Sequence, residues 1–249
     1  MSSALVVVTA LSIVGLAGVL KGSIGFGAPL LAVPALAMLV GTRTAVVLIA
    51  LPLFTANVAL LLGRPADPAA LRRFVPLMVT LVPATFLGGA LLANLDVAVL
   101  SVVVGFVTLA FVALTLAGVQ LATPPRAETA VSLLVGIAGG LLQGATSIPG
   151  SLFAIYLTGL GLDKRAFVYG ITLIFVAGNV AQVATYLRFG LYTRDLLLGS
   201  LALAVVLLLG QQVGFHIQDR LDPDRFRRVV LAAVAASGAL LLVRGLGWL

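Results

Sequence analysis

Residues 21–34 read KGSIGFGAPLLAVP. Gly22, Gly25, Gly27, Pro29 and Pro34 crowd beside Lys21, and the residues on either side are almost unbroken apolar runs. Gly and Pro are the poorest helix formers. A charge is out of place in a run this apolar. What this break means depends on the solvent around it, and composition decides that.

The chain of 249 residues is 61% hydrophobic and 9% charged, with a mean hydropathy of +1.23. A soluble domain carries roughly a quarter charged residues, so this chain has too little polar surface to cover itself in water. Several apolar runs reach the ~20 residues that cross a bilayer as helix. The short alternating strands of a membrane barrel are missing. The fold class is an all-α polytopic membrane protein. The N-terminus MSSALVVVTALSIVG lacks a basic leader region and reads as a retained first helix.

Composition also narrows function. The net charge is +7, but the Arg residues sit in short connections between apolar runs, as topology signals do. No basic patch interleaved with aromatics points to nucleic acid. Cysteine is absent, and His216 is the one histidine, so no metal site is expected. No nucleophile elbow, zinc-protease or phosphate-loop pattern is present, so neither an enzyme nor a cofactor is expected.

A shift of 122 positions superposes features of the two halves. Lys21-Gly22 falls on Gln143-Gly144, Thr42-Arg43 on Lys164-Arg165, Asn57 on Asn179 and Gly88 on Gly210. KGSIGFGAPLLAVP falls on QGATSIPGSLFAIY, residues 143–156, which is again rich in Gly, Ser and Pro. The reading is two membrane repeats, 1–122 and 123–249, in one integral domain. Each repeat has five apolar segments, at about 4–20, 28–40, 44–62, 71–93 and 97–119, then 129–143, 151–161, 166–187, 194–216 and 225–244. The second segment of each repeat is too short to span at 1.5 Å per residue. It reads as half of a broken or re-entrant helix at the repeat interface.

The eleven tails and connections differ in charge. The even ones hold Lys21, Arg64, Arg72, Arg73, Arg126, Lys164, Arg165, Arg220, Arg225, Arg227 and Arg228. The odd ones hold Arg43, Arg188, Arg194 and Arg244. The positive-inside rule places even connections in the cytoplasm and both termini outside. Each half then crosses an odd number of times, so the repeats have inverted topology, as in many secondary transporters.

Irregular backbone survives at membrane depth only inside protein or beside a wet cavity. Each break starts a new helix, whose free N–H groups and partial positive charge attract anions. Pro29 suits a first helical turn, and Thr146, Ser147 and Ser151 are candidate N-caps around Pro149-Gly150. The bland reading is close packing, through Gly18-xxx-Gly22 and Gly140-xxx-Gly144. The candidate substrate site is Lys21, Ser23, Gly25, Gly27, Pro29, Asn57, Gln143, Thr146, Ser147, Gly150, Ser151 and Asn179. Lys21 either meets the anion or snorkels to the cytoplasmic interface. Asn57 and Asn179 either line the site or bond helix to helix. Gln182, Tyr156, Tyr186, Gln211 and Gln212 are further polar residues of the same kind. All eight carboxylates fall in connections or at segment ends, which makes the path neutral to positive and suits an anion.

GSIGFGAPLLAVPAL after a first helix, with its degenerate copy about 120 residues on, resembles the TauE/SafE sulfite exporter family, also called the 4-toluene sulfonate uptake permease superfamily. The resemblance covers essentially the whole chain. Gly27-Ala28-Pro29 stands where the family more often has a run of glycines, and Pro34 matches its following Pro. The resemblance implies transport of sulfite, thiosulfate or organosulfonates such as sulfoacetate across a bacterial inner membrane. Export by alternating access is the expectation. An importer, a carrier of other small organic anions, an anion channel and a non-transporting scaffold stay as alternatives. Expected partners are a small anion and the lipid bilayer, with a homodimer left open.

Overall fold

The computed structural model describes residues 3–25, 27–63, 68–119, 123–218 and 223–248. Phe26, Arg64, Asp67, Asp219, Arg220 and Asp222 lie outside them. Among the described residues every regular element is helical. The helices are α1 (Ser3–Ile24), α2 (Ala28–Val40), α3 (Thr42–Leu62), α4 (Pro68–Asn94), α5 (Val97–Leu116), α6 (Glu128–Thr146), α7 (Gly150–Gly159), α8 (Lys164–Arg188), α9 (Arg194–Ile217) and α10 (Pro223–Gly245). They match the ten apolar segments read from the sequence.

Seven of them, α1, α3, α4, α5, α6, α8 and α9, are long and apolar enough to cross a membrane. The α2 helix has 13 residues and α7 has 10, or about 20 and 15 Å at 1.5 Å per residue. Neither reaches across a hydrocarbon core of about 30 Å. Large apolar side chains are exposed on α1, α3, α4, α5, α6, α8, α9 and α10, Phe106 with 65% and Leu87 with 63% of its surface free. Such a surface suits acyl chains, where exposed Leu and Phe cost nothing.

The breaks follow from local chemistry. Gly25 and Gly27 take φ of 92° and 99°, the left-handed region that Gly enters freely. Pro29 lies in the first turn of α2. The second break is shorter than the sequence suggests, because α6 runs on through Thr146. Ser147 ends α6 at φ 61°, and its N–H bonds to Gln143 O at 3.0 Å. The N-cap of α7 is Pro149, and no side chain caps that helix. Thr146, Ser147 and Ser151 are therefore not its N-caps: Thr146 and Ser147 finish α6 instead. The side-chain caps lie at outer helix ends, where Asp96, Asp163 and Thr193 accept from the first turns of α5, α8 and α9.

Close packing holds the helices together. A Cβ on Gly18 or Gly22 of α1 would run into the backbone of α9 around Leu207, Gln211 and Gly214. A Cβ on Gly140 or Gly144 of α6 would run into the backbone of α4 around Leu81, Thr85 and Gly89. Gly22, read above as part of the break, thus belongs to a helix–helix contact. Gly88 meets Leu141 O and Ala145 N, and Gly214 meets Val19 O and Ser23 N. In these contacts Gly88 corresponds to Gly214, one helical turn beyond the Gly210 that a uniform shift selects. The packing is α1 on α9 and α6 on α4, α3 on α9 and α8 on α4, α3 on α8, and α5 on α10.

Helix ends are tied across the fold. Arg43 at the start of α3 donates to Leu92 O at 2.9 Å and Leu95 O at 2.5 Å, at the end of α4. Ser200 near the start of α9 donates to Leu48 O. Arg244 at the end of α10 donates to Met38 O near the end of α2. The N–H of Thr123, before α6, donates to Gly159 O at the end of α7. The α2 helix runs through the larger hydrophobic core, with Ala28, Leu30, Ala32, Val33, Leu36 and Ala37 buried.

Candidate functional site

Two breaks and two long helices meet at one cavity. It is lined by Lys21, Gly27, Pro29, Leu30, Leu53, Asn57, Gln143, Ser147, Gly150, Phe175 and Asn179. The α2 helix brings its first turn, α7 its first residue, and α3 and α8 their central polar side chains. The cavity volume is about 20 Å3, room for about one water.

A chain of hydrogen bonds runs through it. Lys21 Nζ donates to Asn57 Oδ1 at 2.5 Å. Asn57 Nδ2 donates to Asn179 Oδ1 at 2.8 Å, across 122 residues of sequence. Asn179 Nδ2 donates to Gln182 Oε1 at 3.2 Å, and Gln143 Nε2 donates to the same oxygen at 2.7 Å. Gln182 Nε2, with two N–H groups to give, lies within hydrogen-bond distance of three acceptors, Gln143 O, Ser147 Oγ and Tyr186 OH, and Tyr186 OH donates to Gly144 O. Lys21, Asn57, Gln143, Ser147, Asn179 and Gln182 are all at most 3% exposed.

Lys21 also lies 5.9 Å from the centre of the Phe175 ring, a cation–π distance. No lining residue is a carboxylate. A buried ammonium without an opposite charge is costly, so the site is incomplete electrically. Of the carboxylates among the described residues, Asp96 and Asp163 cap helices and Glu128 pairs with Arg73 at 2.6 Å.

The sulfite exporter TauE/SafE family model matches residues 10–241, from the first helix through both breaks to the last helix. The chain belongs to the TauE/SafE sulfite exporter family. No curated relative and no solved structure matches it. It is a multi-pass transmembrane transporter of a family that moves solutes rather than transforming them.

In this TauE/SafE member the cavity gathers Lys21, Gly27, Pro29, Asn57, Gln143, Ser147, Gly150 and Asn179 from the sequence-derived set. Four others stand outside the lining. Ser23 donates to Val19 O and Gly214 O in the α1–α9 contact. Thr146 donates to Leu142 O and accepts from Ile148 N, so it shapes the turn. Gly25 shapes the first break, and Ser151 lies within α7. The snorkelling alternative for Lys21 fails, since the side chain is 3% exposed and turns into the protein.

Leu30, Leu53 and Phe175 are lining residues that the sequence reading passed over, and Gln182 and Tyr186 carry more of the network than it assigned them. Their signal was periodicity. Phe175, Asn179, Gln182 and Tyr186 follow one another at steps of four, three and four along α8, one face of a helix. Tyr156 bonds to Ser132, Gln211 reaches Ala56 O at 3.5 Å, and His216 Nδ1 meets Gln212 O. None of these enters the lining.

Proposed function

We propose that the cavity is the substrate site of a secondary transporter for small sulfur-containing anions such as sulfite, thiosulfate or organosulfonates. The observation that carries this reading is a buried Lys21 among lining residues without a carboxylate, where α2 and α7 also begin. An anion would complete the charge on Lys21 and take hydrogen bonds from Ser147 and from helix N-terminal N–H groups.

Export by alternating access between two inverted repeats is the proposed mechanism. Its support is the exchange of partners between halves: α1 packs on α9 as α6 packs on α4. The glycine contacts add direction, because α1 runs alongside α9, and α6 alongside α4, in the same sense. The Arg43 and Ser200 bonds set the end of α4 and the start of α9 near the start of α3. The α4 and α9 helices then run oppositely, and so do α1 and α6. Cavity size favours a carrier over an open pore, since about 20 Å3 admits an oxyanion only when helices part. An inside-negative potential drives an anion outward by about 2.3 kcal/mol per charge per 100 mV, so export needs no coupled ion.

Purified protein in liposomes tests this. Labelled sulfite, sulfoacetate and a carboxylate of similar size are offered, with saturation and one-for-one exchange as readouts. Saturable flux of the sulfur anions is expected. No flux of any anion through folded protein would overturn the reading, and unsaturable conductance would replace the carrier with a channel.

A further inference from the structure

One buried side-chain oxygen of a lining residue has no partner. Gln143 Oε1 is buried and accepts no hydrogen bond, although the residue is 1% exposed and lines the cavity. Exchanging the oxygen and nitrogen of this amide does not remove the problem, because the network dictates every orientation. The Lys21 ammonium only donates, so Asn57 must turn its oxygen toward it. Asn57 then offers N–H to Asn179, which must answer with its oxygen. Asn179 offers N–H to Gln182, which must again answer with oxygen. The main-chain carbonyl of Gln143 demands the same orientation of Gln182 from its other side, since it accepts from Nε2. Gln143 therefore has to present nitrogen to Gln182 Oε1, and its own oxygen is left over.

Among the charged side chains of the lining there is only a donor. Lys21 has N–H groups beyond the one given to Asn57. Ser147 Oγ accepts from Gln182. The site thus presents a cation and donors with one orphaned acceptor among them. A bare oxyanion, which only accepts, satisfies the donors and leaves Gln143 Oε1 unpaired in a desolvated place, which is costly.

We propose that the anion bound here carries a hydrogen-bond donor of its own, an O–H or N–H beside its anionic oxygens, which Gln143 Oε1 accepts. This rests on the anion-site reading above and narrows it. Protonated sulfur oxyanions and sulfonates with a hydroxyl or amino group near the head fit the class, and fully deprotonated, donor-free anions fit poorly.

Sulfamate and methanesulfonate are monoanions of nearly the same shape, one with N–H and the other with C–H at the fourth position. Their affinities for the purified full-length protein are measured by calorimetry and by inhibition of sulfite flux. Sulfamate is expected to bind about tenfold tighter, the scale of one buried unpaired acceptor. In Gln143→Met the affinity ratio should fall to about one. Equal affinities in the unaltered protein would overturn the inference and leave the anion site standing, since a bridging water would then be serving Gln143. A ratio that persists in Gln143→Met would also overturn it. Binding of neither anion, nor of sulfite, would overturn the anion-site reading itself. The comparison in the unaltered protein stands even if the variant fails to fold.

Discussion

Lys21 and Ser147 concentrate the chemistry and the strain of this protein. Lys21 is a cation held among amides and an aromatic ring. Lys21→Met should abolish anion binding by at least tenfold, because a charge-assisted hydrogen bond contributes about 1.5–3 kcal/mol. The melting temperature should hold or rise, since removing a buried unpaired charge offsets the lost bond to Asn57. Calorimetric titration with sulfite and a thermal melt measure the two effects separately. Ser147 is the one non-glycine residue at positive φ among the described residues, a conformation that costs about 1 kcal/mol or more. Its side chain repays that by holding Gln182 Nε2 at 2.6 Å. Ser147→Gly relieves the backbone and loses the hydroxyl. Stability within about 1 kcal/mol of the original and affinity several-fold weaker are the expected outcomes. Undiminished affinity would remove Ser147 from the anion site.

At the scale of elements, the glycines divide into two kinds. Gly25 and Gly27 turn the chain, whereas Gly18, Gly22, Gly140 and Gly144 let two backbones touch. The distinction is measurable on α1 alone. A Cβ at Gly15 would meet Val206 Cγ1 at 3.5 Å, an ordinary contact. Gly15→Ala should therefore be neutral or stabilising by up to ~1 kcal/mol through helix propensity. Gly18→Ala drives a methyl into Leu207 O and Gln211 N, and should destabilise by roughly 1–3 kcal/mol through overpacking. Gly144→Ala should do the same between α6 and α4. Melting curves in one detergent rank the three, and a Gly18→Ala protein as stable as Gly15→Ala would contradict the packing.

At the scale of the whole molecule, charge placement and helix-end contacts bear on one topology. Lys21 leaves the charge count, because its side chain is buried inside the protein. The Lys and Arg at the connections after α3, α5, α7 and α9 still outnumber Arg43, Arg188, Arg194 and Arg244 on the other side. The chain has no cysteine, so single cysteines give clean labels. With an impermeant maleimide on intact cells, Gly190→Cys and Trp248→Cys should react and Gly118→Cys should not. The reverse pattern would invert the orientation and turn the proposed exporter geometry around.

Hydropathy determined the ten helices, because in lipid a backbone satisfies its own hydrogen bonds only as helix and apolar runs then mark the elements directly. Gly, Pro and Ser at matched places in both halves marked the breaks, since those residue types carry their backbone preference locally. Asn57 and Asn179 stood out for the same reason, as polar atoms that lipid does not satisfy. Only the tertiary structure brought them 2.8 Å apart, turned Lys21 inward, moved Gly22 and Ser23 into a helix contact and left Ser151 outside the cavity lining. It also equated Gly88 with Gly214 rather than Gly210, because interhelical register is set by which backbones can touch and not by residue counting. The orphaned oxygen of Gln143 belongs to the same level. Its orientation is the sum of donor and acceptor constraints passed from Lys21 through three amides on two helices, and no one of those residues encodes it alone.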